Sequence, residues 1–149
     1  MKTIDGTGKV FKVLYGDVAA GQTIVYPVGT GSNYAPMTLA FTSGDLGGNR
    51  QVGVRVVAAK HPNNSSTTNY LKRYWQIDND GVAGTIECAV AAQFVMEEDV
   101  EGELDNQDVM KWNGMSWSYP DTQNCINGSN QITATVDGFS DITTDAETF

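Results

Sequence analysis

This chain has a single histidine, His61, with two cysteines and four prolines in 149 residues. One histidine excludes a multi-histidine zinc centre, and two cysteines are too few for a zinc ribbon. A Ser-His-Asp triad would have to use His61, which sits in the turn-rich stretch His61-Pro62-Asn63-Asn64, and no G-x-S-x-G elbow occurs. The chain is therefore not read as an enzyme. Basic residues are scarce as well: 9 Lys and Arg stand against 18 Asp and Glu, a formal net charge of -9. They form no cluster, so the surface repels nucleic acid and anionic membranes, whose phosphates need such clusters. An acidic surface suits solubility, cation binding or a basic partner. No run approaches the roughly 18 apolar residues of a membrane span. No signal peptide is visible, because Met1–Gly8 is short and polar; a mature protein and a fragment both look this way, so the cytoplasm is not implied. Internal repeats and linkers are lacking too. Residues 1–149 read as one domain, with 1–8 as a flexible N-terminal tail, and the length suffices to bury a core.

What the sequence does contain is strand alternation and turn chemistry. In Thr85–Met96, one face takes Ile86, Cys88, Val90, Ala92, Phe94 and Met96, and the other takes Thr85, Glu87, Ala89, Ala91, Gln93 and Val95. A helix would scatter those apolar residues around its axis, so the segment is predicted to be a strand. Gln51–Ala58 repeats the pattern with Val52, Val54 and Val56, and Gln131–Val136 with Ile132, Ala134 and Val136. Further strands are expected at Lys9–Tyr15, Thr23–Tyr26, Met37–Phe41, Leu71–Ile77 and after Phe139-Ser140-Asp141. Lys111-Trp112 and Trp117-Ser118-Tyr119 flank Asn113-Gly114, a hairpin signal because both turn residues tolerate positive φ. Turns are expected at Gly16-Asp17, Gly44-Asp45, Asn79-Asp80-Gly81 and Asn127-Gly128. About eight or nine short strands, with a turn every 8–12 residues or so, predict an all-β antiparallel sandwich, with a closed barrel as the alternative.

Several residues carry candidate chemistry. Cys88 and Cys125 permit one disulfide, or are two buried free thiols. Asn-x-Ser signals for glycosylation begin at Asn63, Asn64 and Asn127. Glu97–Asp108 holds seven carboxylates and no base. Within it, Asp99-Val100-Glu101-Gly102-Glu103 spaces oxygen ligands two apart around a glycine, so Asp99, Glu101, Glu103 and Asp105 are candidate ligands of a structural Ca²⁺; a solvated acidic loop is the other reading. The EF-hand pattern itself is missing, and no other cofactor is implied. Trp112, Trp117 and Tyr119 are candidate sugar-stacking residues, with the two tryptophans facing each other across the hairpin. Trp75 shares a face with Leu71 and Ile77 and is expected in the core.

The segments Tyr26-Pro27-Val28-Gly29-Thr30 and Asn33-Tyr34-Ala35-Pro36-Met37-Thr38-Leu39 resemble a "PVGT…Y-x-P-V-T-L" pattern. His61-Pro62-Asn63 with Leu71–Ile77 is similar to "HP…RYW-x-I". Trp112–Trp117 is similar to "W/Y-N-G-x-x-W", and Gly138-Phe139-Ser140-Asp141 to "x-F-S-D". In this order, and over most of the chain from Tyr26 to Asp141, the segments resemble modules of large, repetitive surface proteins of Bacteroidetes-type bacteria. That resemblance implies an immunoglobulin-like sandwich, export across the cell envelope by a route of type IX kind, an extracellular or cell-surface location and no catalytic residues. The usual C-terminal sorting domain of that route is not seen in this chain. The expected function is that of a structural or adhesive module or fibre subunit, partnered by itself or by neighbouring domains through an edge strand such as Lys9–Tyr15 or end to end. A carbohydrate-binding module, with a glycan as partner, is the alternative.

Overall fold

A computed structural model describes residues 8–14, 22–44, 48–79, 86–120, 122–126 and 129–146. The chain runs through β1 (Val10–Leu14), β2 (Gln22–Tyr26), the short β3 (Gly29–Thr30) and β4 (Asn33–Tyr34), and β5 (Met37–Gly44). Then come β6 (Arg50–Val57), β7 (Tyr70–Leu71), β8 (Tyr74–Asn79) and β9 (Ile86–Gln93), followed by one helical turn, α1 (Met96–Asp99). After β10 (Val100–Glu101) and a 3-10 turn at Leu104–Asn106, the chain closes with β11 (Gln107–Trp112), β12 (Trp117–Ser118), β13 (Gln123–Ile126), β14 (Gln131–Val136) and β15 (Asp141–Ala146). Fifteen strands are thus described where eight or nine were expected, and five of them are only two residues long. The class is all-β, and every strand pair is antiparallel.

Two main sheets result, in the orders β1-β6-β8-β15-β11-β12 and β13-β14-β9-β5-β2. Each has two ends among the described residues, which is a layered, sandwich-like arrangement and not a closed barrel. The alternation read from the sequence decides what lies between the layers. Ile86, Cys88, Val90 and Ala92 of β9 are buried with Val52, Val54 and Val56 of β6 and Ile132, Ala134 and Val136 of β14. Each large apolar side chain withdrawn in this way contributes about 1.5–3 kcal/mol. Two polar links cross the layer: the Tyr26 hydroxyl donates to the Val52 carbonyl at 3.1 Å, and the Trp75 indole N–H donates to the Ala35 carbonyl at 3.1 Å. Trp75 is fully buried, as expected. Burial, then the nearby Cys88, raises the Tyr26 phenol above its ordinary pKa.

Some boundaries differ from expectation. Phe94 is buried beyond the end of β9, and Met96 leaves the strand to begin α1, where the Asp99 carboxylate accepts the Val95 N–H at 2.6 Å. Leu71–Ile77 is two strands, β7 and β8, because Leu71 pairs with Val100 while β8 pairs with β6. The hairpin forms with Trp112 opposite Trp117, and Gly114 takes φ 98°. The Asn113 carboxamide oxygen caps the turn, accepting the N–H groups of Met115 and Ser116. The tail Met1–Thr7, Tyr15, the turn Gly16-Asp17, Asp45, Asp80-Gly81, Thr85 and Asn127-Gly128 lie outside the described residues.

Candidate functional site

The four candidate calcium ligands are not brought together among the described residues. Asp99 is buried, and Arg73 Nε donates to its Oδ2 at 2.5 Å while Arg73 Nη1 donates to Thr30 Oγ1 at 2.8 Å. The carboxylate is therefore buried with a full positive charge and a backbone N–H on its Oδ2. Glu101 is exposed and pairs with Lys72 at 3.3 Å; Glu103 and Asp105 are exposed. Among the described residues no three His, Cys, Asp or Glu side chains come together to hold a metal. Gly102 has a different reason to be glycine. Its φ is +74°, and a Cβ would collide with the Thr68 carbonyl and the Asn69 side chain. That close approach lets Asn69 Oδ1 accept the Glu103 N–H at 2.9 Å, tying the acidic segment to the preceding loop.

The aromatic residues divide. Trp112 and Trp117 stack with centroids 5.0 Å apart but tilted by 54°, so they make no flat platform. His61 packs against them, 4.8 Å from Trp117, 6.0 Å from Trp112 and 4.8 Å from Tyr74. Trp117 donates its indole N–H to the Asn63 carbonyl at 2.9 Å. Under this cluster runs a row of facing residues on four strands: Arg55 opposite Gln76, Gln76 opposite Asp141, Asp141 opposite Trp112. Arg55 bonds Gln76, Gln76 Nε2 donates to Asp141 Oδ2 at 3.0 Å, and His61 Nε2 meets the same oxygen at 3.0 Å. Cross-strand pairs of this kind stabilise a sheet locally. The other ring nitrogen, Nδ1, accepts the Asn63 N–H at 3.1 Å, which assigns the proton to Nε2. Both nitrogens are thus engaged within the fold. The loop Ala58–Asn69 is pinned further where Asn64 Nδ2 donates to the Thr144 carbonyl at 2.9 Å and its Oδ1 accepts the Ser66 N–H. Asn64 is buried and so closed to glycosylation in the folded chain, whereas Asn63 is exposed.

The sequence reading missed both polar clusters. Arg73 follows Lys72 directly, and nothing local distinguishes the buried, paired cation from its exposed neighbour. For His61, nothing local points to Asp141, 80 residues away.

Tyr119, the third candidate aromatic, stands apart from the tryptophan pair and is 40% exposed. It lines a groove of about 420 Å³ with Glu87, Lys111, Thr122, Thr135 and Asp137. Lys111 Nζ pairs with Asp137 Oδ1 at 2.7 Å, and this hydrogen bond and charge hold the Asp137 carboxyl below its ordinary pKa. Thr42 Oγ1 donates to Glu87 Oε1 at 2.6 Å. A second groove, about 430 Å³, lies over the Arg73–Asp99 pair.

Of the two readings of the cysteines, a disulfide or free thiols, Cys88 fits the second: it is a free, buried thiol. Cys88 pairs with Val136 on one side of β14, and Cys125 pairs with Ile132 on the other. Two strand spacings across and four residues along separate their Cα atoms by roughly 16 Å, against a limit near 7 Å for a disulfide. Burial pushes the Cys88 thiol up to about 12.

The strand edges are unlike one another. β12 ends its sheet after two residues and runs into Tyr119-Pro120, where proline offers no donor. Among the described residues β1 is a five-residue edge without proline, and Phe11 and Val13 are 51% and 48% exposed on it. Phe11 lies over Gly53, its facing residue on β6, at a distance that leaves no room for a Cβ there. Comparison with protein-family models, with curated proteins and with solved structures returns no match.

Proposed function

We propose that the chain is an immunoglobulin-like module of a secreted or cell-surface protein, structural or adhesive in role, which associates with a second copy or a neighbouring domain along β1. The supporting observation is that edge. It is a five-residue strand paired on one side only among the described residues, so its outward-facing backbone groups are open, and it carries two half-exposed apolar side chains, Phe11 and Val13. Such a strand is a template for another strand unless charge or proline blunts it. Both lysines near it are engaged within the molecule: Lys12 Nζ lies 5.7 Å from the Tyr26 ring centre, and Lys9 is paired with Asp78. A chain with net charge -9 gains no attraction from its own charge on self-association, so apolar contact and main-chain pairing have to drive it. The resemblance of the ordered segments from Tyr26 to Asp141 supports the same reading.

The test is sedimentation velocity and negative-stain microscopy of the wild type and of Val13→Glu, which puts a charge on the edge without uncovering Gly53. The wild type is expected to associate as concentration rises, and the variant to stay monomeric with an unchanged melting temperature. A wild type that is monomeric at millimolar concentration overturns the reading.

A further inference from the structure

We propose that the groove beside Tyr119 binds a neutral oligosaccharide, one sugar ring stacking on Tyr119 while Glu87, Lys111 and Asp137 hydrogen-bond its hydroxyls. This binding does not depend on association along β1. Its walls come from both sheets: Glu87 precedes Cys88 on β9 and Thr135 is on β14, while Lys111 is on β11 and Tyr119 follows β12. Two rigid layers thus hold the lining apart, and the groove exists before a ligand arrives. Its volume, about 420 Å³, falls in the range of small-ligand sites.

The chemistry of the lining selects the ligand class. Tyr119 is 40% exposed, and its hydroxyl has no hydrogen-bond partner among the described residues. An aromatic ring left in this state presents an apolar face with a polar tip, which matches the C–H face and hydroxyl rim of a pyranose. Around it lie acceptors (Glu87, Asp137), a donor (Lys111) and hydroxyls that serve as both (Thr122, Thr135). That mixture suits a polyol better than an apolar ligand, which would leave these groups desolvated and unpaired. The carboxylates are already oriented, Glu87 by Thr42 and Asp137 by Lys111. Each keeps acceptor sites for ligand hydroxyls, since a carboxylate has about four. Two carboxylates against one ammonium leave the groove negative, and the chain carries -9 overall. Acidic sugars and phosphates are therefore disfavoured.

The geometry also separates this site from the tryptophan pair. Those rings are tilted by 54° and one indole N–H is engaged by Asn63. Tyr119 is the one ring in the groove's described lining, so the expected affinity is weak, with a dissociation constant on the order of 1 mM.

The test is an NMR titration of ¹⁵N-labelled Val13→Glu protein, so that association along β1 does not interfere, with cellohexaose, mannohexaose and hexagalacturonate as probes. At least one neutral hexamer is expected to shift the amides of Lys111, Ser118, Tyr119 and Asp137, and hexagalacturonate to shift none of them. Tyr119→Ala is expected to weaken binding about tenfold or more at an unchanged melting temperature, while Tyr34→Ala, an exposed tyrosine elsewhere, leaves it unchanged. No shifts with either neutral hexamer at 10 mM, shifts centred on Trp112 instead, equal binding of hexagalacturonate, or indifference to Tyr119→Ala each overturns the proposal.

Discussion

On the outer side of the six-stranded sheet, the loop Ala58–Asn69 is tied down over β8, β15 and β11. His61 bonds Asp141 there, and Asn64 Nδ2 donates to the Thr144 carbonyl. On the outer side of the five-stranded sheet stand Thr38, Ala40, Ala89, Ala91, Thr133 and Thr135, small side chains lining a shallow hollow of about 270 Å³. Both faces belong to strands whose opposite faces fill one core. The difference lies in what the outward residues can reach. Long polar side chains in register capture a loop and become buried with it, whereas alanine and threonine present little to hold one. A buried polar cluster makes the first face sensitive to single changes, because each group removed leaves a partner unsatisfied.

Substitutions that break or sharpen this contrast span a wide range of effects. The largest is expected at Arg73, next to the covered face. Arg73→Ala leaves Asp99 charged, buried and unpaired, at a cost of about 3–5 kcal/mol in urea unfolding, and the double change Arg73→Met with Asp99→Leu recovers most of it. At His61, replacement by alanine removes a ring packed between Tyr74 and Trp117 and strands the Asn63 N–H. About 2–3 kcal/mol of stability should be lost, and tryptophan emission should move to the red as Trp112 and Trp117 become wetter.

A smaller effect follows from Cys88, which lies on the shared core. The folded state keeps the thiol proton up to about pH 12, whereas the unfolded chain releases it near the ordinary value of 9.0. This contribution is therefore intact below pH 9 and is lost as the pH rises from there towards 12, and the raised phenol of Tyr26 acts in the same sense. In a Cys125→Ser background, Cys88 should react with a disulfide reagent at pH 8 only after denaturant is added. On the open face, Thr133→Lys should change stability by no more than about 0.5 kcal/mol in the same urea titration. The smallest effect is expected from calcium. With Asp99 held by Arg73, melting temperatures in Ca²⁺ and in chelator should agree within about 1 °C.

Period-two alternation marked the inward faces of β6, β9 and β14 from the sequence, and the Asn113-Gly114 hairpin and the buried Trp75 were equally legible. Those features are local: a strand's own residues decide which side is apolar, and a turn's own residues decide its φ. The candidate sites were not legible in the same way. Asp99 looked like a cation ligand because its neighbours along the chain are acidic, but its neighbour in space is Arg73, 26 residues away. Cys88 and Cys125 looked like a pair because they were the only two, and the register of β14 keeps them apart.

The sequence by itself determined that the chain is all-β, which residues face the core, and that a negative, histidine-poor surface surrounds it. Only the tertiary structure decided that His61 and Arg73 are buried partners of distant carboxylates, that the tryptophan pair is partly covered by a loop while Tyr119 opens onto a groove, and that β1 is an edge among the described residues. The physical reason is range. Hydrophobic patterning is written residue by residue along a strand, whereas the partner of a charge or an aromatic ring is chosen by sheet order and register, which bring together residues far apart in the chain.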